Sequence, residues 1–458
     1  MFRRSSKKDI LNGNILEQMM LFFFPVFMGY LLQMFYGFAD SVVLGRFIGK
    51  EALASVGGSA NSIINIILNC VSGLTAAITV RVAQSYGKGN MEKASNVVKT
   101  GMFVSISFGA FLTVLMITIS PFLLRLMGTP EETISTSLVY LRFYFGSMVF
   151  YFVYQSGVSI LRALGDSKRP LMLIMVTAVC KIGFDLLLAG ILKLGVFGTS
   201  MATFLSHLVC ALVILFIFYH TSDIYQFSLK ELRFDKEEVI EIFKVGIPFA
   251  IQSMMFAIPS AFILSKINSF GTDAIAAYSA FSNVDNVFWC FSNAVSTSTI
   301  TMASQNYGHG NLKRVRLIAL TSILVEASGA LIFGLTFQSY GKNLLSLFLT
   351  DAEPLEISWK MLRIISMSYI LYVFVEPMSA MFKSCGLIRT PMIIAIFTIC
   401  FMRIGFITLF PMSEPQLPVF AFPLSWVVTS FAYLNYYIFN DRFKDKKVNK
   451  GPMVLPDK

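Results

Sequence analysis

The chain has 458 residues, of which 55% are hydrophobic and only 14% charged, with 45 Phe and 24 Met. That balance excludes a soluble globular protein, which carries roughly a quarter charged residues. The formal net charge of +11 is accounted for below by membrane insertion and requires no nucleic-acid partner.

A basic stretch at 1–14 precedes an apolar run that is too long for a signal peptide and is followed by no A-x-A cleavage site. Twelve runs, each long enough to cross about 30 Å of hydrocarbon, lie near residues 15–40, 52–78, 96–120, 135–160, 170–191, 196–219, 243–266, 277–303, 317–338, 358–382, 391–411 and 416–440. They predict an all-α integral membrane protein of twelve transmembrane helices. The polar segment 221–241 divides them, so the expected organisation is an N-terminal six-helix lobe at 15–220, a linker at 221–241, a C-terminal six-helix lobe at 242–440 and a basic tail at 441–458. With the N-terminus inside, the inner segments hold 26 of the 37 Lys and Arg and the outer segments hold 7. This positive-inside bias places both termini in the cytoplasm.

The two halves repeat at an offset of 221–223 residues. Pro25 matches Pro248. Phe47, Ile48, Gly49 and Ala52 match Ser269, Phe270, Gly271 and Ala274. The run from Gln84 to Asn90 matches that from Gln305 to Asn311, Leu141-Arg142 matches Leu362-Arg363, and Gly165 and Pro170 match Gly386 and Pro391. Because each half has an even number of spans, the repeat is parallel, and two such lobes usually enclose a cavity that opens alternately to each side.

Polar residues inside the spans are the candidate functional groups. In the first span Gln33, Tyr36 and Asp40 share a face, and an acid at mid-bilayer costs about 2.5–3.5 kcal/mol on insertion scales, which marks it as functional by default. In the second span Asn61, Asn65, Asn69 and Gly73 form a stripe that either lines a cavity or glues helices together. Lys181 and Asp185 of the fifth span are i and i+4 and can meet. The sixth presents Thr199, Thr203, His207 and Cys210 on one face, where His207 serves as a satisfied core residue as readily as a substrate contact. The seventh carries Gln252, Met255, Phe256 and Pro259. In the second half, Asp285 sits with Trp289, Ser292 and Ser296, and Glu376 with Tyr369, Tyr372 and Ser379. The repeat partner of Glu376 is Gln155, so that acid belongs to the second half alone. Arg403 precedes Ile404-Gly405-Phe406 as Lys181 precedes Ile182-Gly183-Phe184. Carboxylates beside Tyr, Trp and Met suit an organic cation. The competing structural reading is an internal Glu376–Arg403 salt bridge. Glu326, in the ninth span, is isolated and receives no role. Six cysteines (Cys70, Cys180, Cys210, Cys290, Cys385, Cys400) show neither CxxC nor zinc spacing, so no disulfide frame or metal site is expected. No HExxH or nucleophile motif occurs, and the Gly-rich turns at 84–90 and 305–311 lack the Walker ending. No catalytic residue is expected, and the chain reads as a non-enzyme.

Four segments carry a family resemblance: 33–49 with Gln33, Gly37, Asp40, Gly45 and Gly49; 161–170 with Arg162, Gly165, Asp166 and Pro170; 267–278 with Asn268, Gly271 and Tyr278; and 422–426 with Pro423 and Trp426. In this order and spacing the chain resembles the multidrug and toxic compound extrusion (MATE) transporters, of bacterial type, over nearly its whole length. The resemblance implies export of amphipathic, often cationic compounds driven by Na+ or H+ entry. In that family an Asp of the first helix, an Asn and an Asp of the fifth and a Thr of the sixth form a cation site. By motif these positions are Asp40, Lys181, Asp185 and Thr203. Lys181 departs from the family's Asn. A Na+ site needs oxygen ligands, whereas an ammonium offers donors only. Two Asp and one Lys carry a formal −1, which one proton neutralises, so H+ is the expected coupling ion rather than Na+, with no cofactor. The bland alternative is a Lys181–Asp185 pair that only sets helix register. The expected function is therefore a secondary active antiporter in the bacterial cytoplasmic (inner) membrane. Its expected partners are an amphipathic small molecule and the lipid bilayer, with the chain a monomer. A lipid-linked precursor flippase of related fold and an exporter of one specific metabolite are the alternatives. Flippase cavities tend to be strongly basic, whereas the candidate cavity here holds four acids and two bases.

Overall fold

The computed structural model describes residues 10–43, 60–127, 129, 131–221, 223–227, 232–440 and 443. The repeat and motif residues Gly45, Phe47, Ile48, Gly49 and Ala52, the basic terminal segments at 1–9 and 444–458, and linker residues 228–231 lie outside the described residues. Among those described, helix dominates and no strand occurs.

The helices follow the spans read from the sequence. They are α1 (Ile15–Val43), α2 (Asn61–Gly87), α3 (Met91–Leu126), α4 (Glu131–Gly146 and Met148–Ala163), α5 (Lys168–Asp185), α6 (Gly195–Tyr219), α7 (Lys236–Asn268), α8 (Thr272–Gly308), α9 (Leu312–Leu345), α10 (Ala352–Tyr372 and Val375–Ser384), α11 (Arg389–Ala395 through Met402–Leu409) and α12 (Leu417–Phe420 and Ala421–Phe439). Nine of the described helices are individually long and apolar enough to span a bilayer, and α4 and α10 qualify as bent pairs, with bends of 45° and 41°. The remaining helix, α8, has 37 residues and is rich in Ser, Thr and Asn. α5 runs on into a π-helical turn, Leu186–Ile191, and α11 contains one at Ile396–Phe401. Such turns leave the regular hydrogen-bond ladder and often mark functional positions.

The repeated residues have a local structural purpose. Gly89 (φ 76°) and Gly310 (φ 83°) take the left-handed conformation that ends α2 and α8, where a side chain would be strained. The next residue then starts the following helix: Asn90 accepts a hydrogen bond from the Lys93 N–H at 2.9 Å, and Asn311 from the Arg314 N–H at 3.0 Å. Asn is a strong N-cap for this reason. The repeated Gly-rich turns therefore close one helix and open the next.

The chain forms two compact units that do not follow chain order. One comprises Phe24–Ala250, and the other Ile251 onward together with the residues up to Phe23. So α1 and α7 each divide between units, and each divide lies within three residues of a proline, Pro25 or Pro248. In the Phe24–Ala250 unit, the start of α7 docks on α2 and α3. Glu238 takes ion pairs from Arg81 (2.7 Å) and Lys93 (3.3 Å), and Asp235 accepts from the Asn96 amide at 2.6 Å. Gly73 lies so close to α7 that a Cβ there would stand 2.3 Å from the Ala250 nitrogen. In the other unit the segment before α1 docks on α8 and α9. Asn306 donates to the Ile10 carbonyl (3.2 Å), Arg314 donates to the Gly13 carbonyl, and Phe23 packs edge-on against Phe291.

Candidate functional site

The Phe24–Ala250 unit brings Asp40, Lys181 and Asp185 together. Lys181 Nζ lies 2.6 Å from Asp40 Oδ1 and 2.5 Å from Asp185 Oδ2. The i,i+4 spacing on α5 aims both of its side chains at the same point, and α1 supplies Asp40 across the helix interface. The Asp185 and Lys181 side chains are 1% and 7% exposed and Asp40 is 21% exposed, so Asp40 is the most accessible member of the cluster. Asp185 Oδ1 is buried without a hydrogen-bond partner. An ionised oxygen left so would bear a desolvation cost of several kcal/mol, whereas a proton on it would not. Asp185 also ends the regular part of α5, where the π-helical turn begins.

Thr203 is buried on α6, and its hydroxyl bonds its own helix, donating to the Thr199 carbonyl at 3.1 Å rather than reaching the three charged residues. His207 is buried too. Its Nδ1 lies 2.8 Å from the Ser147 hydroxyl, and its ring rests near Tyr144 and Tyr151, at centroid distances of 5.9 and 5.0 Å. Ser147 is the break of α4, so the bend in that helix places the histidine's partner. Gln33 and Tyr36 are half-buried on α1, with the Tyr36 phenol within electrostatic reach of Asp40. Asn65 is exposed and donates to Asn61 Oδ1, while the Asn69 amide donates to the Asn65 carbonyl. The polar stripe on α2 thus splits. Gly73 is the helix contact, and Asn61 and Asn65 face outward from the unit.

The other unit builds a second cluster. Asp285 accepts from Trp289 Nε1 and the Tyr369 hydroxyl, each at 2.6 Å. Glu376 accepts from the Ser296 hydroxyl at 2.6 Å and the Tyr372 hydroxyl at 3.0 Å. Trp289 ties the two acids together through rings, with its centroid 5.0 Å from Tyr372 and 6.1 Å from Trp426. Gln252 is buried and donates to Ser379 and Tyr433, at 3.3 Å each, and Met255 lies half-buried on the following turn of α7. Arg403 is buried but makes no ion pair with Glu376 among the described residues. Its Nε donates to Ser425 at 2.8 Å, and its guanidinium lies 4.5 Å over the Phe422 ring. The salt-bridge reading of Glu376 therefore fails, because polar and aromatic partners hold each group separately.

A family model, MatE, matches the chain twice, over residues 25–187 and 246–409. The chain belongs to the MatE family. The two matches begin at residues 25 and 246, the spacing of the internal repeat. Among relatives, this MatE chain is 28% identical over 447 residues to the probable multidrug resistance protein YpnP of Bacillus subtilis, covering 96% of this chain and 98% of that one. It is 28% identical over 395 residues to the probable multidrug resistance protein YoeA of the same organism, covering 84% and 85%. A crystal structure of MATE in complex with MaL6 superposes with a TM-score of 0.88 at 21% identity, covering 96% of this chain and 98% of that one. The fold is that of the twelve-helix MATE transporters, and the chain is a multi-pass membrane transporter.

Three tyrosines of this MatE chain had no place in the sequence reading. Tyr140 and Tyr144 fall at i and i+4 on one face of the first part of α4, and Tyr151 lies just past the bend at Ser147. Tyr140 and Tyr144 are within electrostatic reach of Asp40, and Tyr151 of Tyr36. The spacing was the available signal. It was hidden because Phe143, Phe145, Phe150 and Phe152 spread aromatic rings around the same stretch of α4, so the tyrosines did not stand apart.

Proposed function

We propose that this chain is a secondary active antiporter of the bacterial cytoplasmic membrane. It exports amphipathic cationic small molecules by alternating access, driven by proton entry, with both termini in the cytoplasm. The observation that carries proton coupling is the Lys181 ammonium seated between Asp40 and Asp185. A Na+ ion would need that position and those oxygens, and the ammonium holds them already. One added proton brings the cluster from −1 to neutral. Asp40, the most accessible of the three, is the group through which it enters, and Asp185 Oδ1 is a buried oxygen with no competing donor. Protonation weakens the attraction of Asp40 for Lys181, and so loosens α1 from α5. The acids and aromatic rings around Trp289 support a cationic, amphipathic cargo, as do the names of the multidrug resistance relatives.

Proteoliposomes under separately imposed gradients test this reading. A pH gradient alone should drive ethidium efflux and a Na+ gradient alone should not. Asp40→Asn should abolish gradient-driven efflux. Efflux driven by Na+ alone, or full activity in Asp40→Asn, would remove proton coupling from the cluster.

A further inference from the structure

Glu326 of α9 is fully buried, at 0% exposure, and neither of its carboxylate oxygens has a hydrogen-bond partner among the described residues. Its neighbour on α8, Ser292, is buried, and its hydroxyl is the one polar group of α8 that faces the carboxyl. An ionised carboxylate in such a place would face a cost of several kcal/mol with at most one hydroxyl to offset it. A neutral carboxylic acid would not, and its hydroxyl could use Ser292 as acceptor.

Comparison with the other half shows that the fold does not need an acid there. The repeat offset of 221 carries Glu326 onto Ser105, which is buried, donates to the Gly101 carbonyl at 2.7 Å and meets Ser156 Oγ at 2.6 Å. The same offset carries Ser156 onto Pro377, which has no hydroxyl to offer. One half fills this position with a satisfied serine pair, and the other fills it with a fully buried ionisable group beside a single serine.

The titratable groups facing Glu326 are few. Glu376 and Tyr372 of α10 lie within electrostatic reach. On α8 the facing residue is Ser292, and the α1 residues that reach this stretch, Met19 against Ser322 and Phe23 against Phe291, are uncharged. Glu376 differs from Glu326 in one decisive respect: two hydroxyl donors support its charge. Burial disfavours a charge on Glu326 first of all, and a negative charge at Glu376 would add to this by repelling a second one nearby. A cation bound against Glu376 cancels that repulsion.

We propose that Glu326 is a second proton-binding site, neutral in the conformation described here, which releases its proton when a cationic substrate binds at Glu376. The release step rests on the reading of Glu376 as a cargo contact, and the protonation of Glu326 does not. The infrared difference spectrum between the wild-type chain and Glu326→Gln, both in lipid at neutral pH, should contain a protonated-carboxyl C=O band that the variant lacks. Glu326→Ser, which installs the residue of the other half, should lose the same band. Absence of the band from both difference spectra would overturn the site. Calorimetric titration of ethidium, in buffers of different ionisation enthalpy, then counts protons released on binding. The count should fall by about one in Glu326→Gln with binding retained. An unchanged count would overturn the coupling to cargo. If ethidium fails to bind the wild-type chain, the cargo reading and the release step fall together, and the infrared band still decides whether Glu326 holds a proton.

Discussion

Lys181 shows how much one departure from a family pattern can carry. In a low-dielectric interior its charge is tolerated because two carboxylates lie within hydrogen-bond distance. Removing the ammonium would leave both acids without their counter-charge. Lys181→Met should therefore lower stability by about 3–5 kcal/mol, the usual cost of breaking a buried pair from one side. Neutralising Asp185 in the same chain should restore part of that loss. Thermal melting of the purified single and double variants in detergent measures both, and equal melting points for the wild-type chain and Lys181→Met would contradict the account. The Lys181–Asp185 contact was legible from i,i+4 spacing alone. Asp40 joined them only through the family resemblance, since nothing in one sequence says which face of α1 meets α5. Thr203 was grouped with them by the same resemblance, but its hydroxyl bonds the Thr199 carbonyl. A buried hydroxyl on a helix has a backbone acceptor four residues back, and that local choice is invisible to a motif.

At the scale of an element, α7 is anchored at its start and pressed against α2 as far as Ala250. Asp235 caps its first turn. The Glu238 backbone N–H, then the Asn96 amide, hold the Asp235 carboxyl below the ordinary carboxylate range. A carboxyl held low stabilises the fold in full above the unfolded-state value, and that contribution is lost as the pH falls through the folded-state value. The melting-point difference between the wild-type chain and Asp235→Asn should therefore be positive at neutral pH and shrink toward zero in acid. A difference independent of pH would show that the charge contributes nothing. Farther along, Gly73 lets α2 approach the backbone of α7. Gly73→Ala places a methyl against the Ala250 nitrogen, which cannot move aside as a side-chain tip could. Overpacking of this kind costs about 1–3 kcal/mol and should appear as a lower melting point in detergent. The sequence marked Gly73 only as one member of a polar stripe. The pattern could not say whether the stripe faced a cavity or a helix, and the structure answers differently for its two ends. The twelve helices and the Gly-Asn turns were legible because length, hydropathy and turn chemistry are local properties.

For the whole molecule, the repeat in sequence and the units in space are out of step. The repeat runs from Pro25 and from Pro248, yet α1 begins in the unit that holds Ile251 onward, and α7 begins in the unit that holds Phe24–Ala250. Chain order suggested two lobes cut cleanly at the linker, because composition changes there. Composition has no way to show that the first turns of α1 and α7 pack away from the helices that follow them. The two exchanged segments are also held by different chemistry. Glu238 and Asp235 of α7 are bound by side chains, whereas α8 and α9 grip the Ile10 and Gly13 carbonyls before α1. This arrangement sets what cutting the chain should do. A fragment ending at residue 227 lacks the α7 segment that pairs with Arg81, Lys93 and Asn96. It would leave Arg81, buried at 8% exposure, without its carboxylate. A fragment beginning at residue 232 lacks the segment that Asn306 and Arg314 hold. Expressed singly, each half should be degraded or aggregate, because each is missing part of its own unit. Expressed together, the two fragments should co-purify and regain ethidium efflux, since the cut falls in the linker between helices. Stable, monodisperse single halves would mean that the exchanged segments contribute little. Glu238→Ala in the second fragment should then discriminate further, weakening the recovery of the pair because it takes away the partner of the buried Arg81.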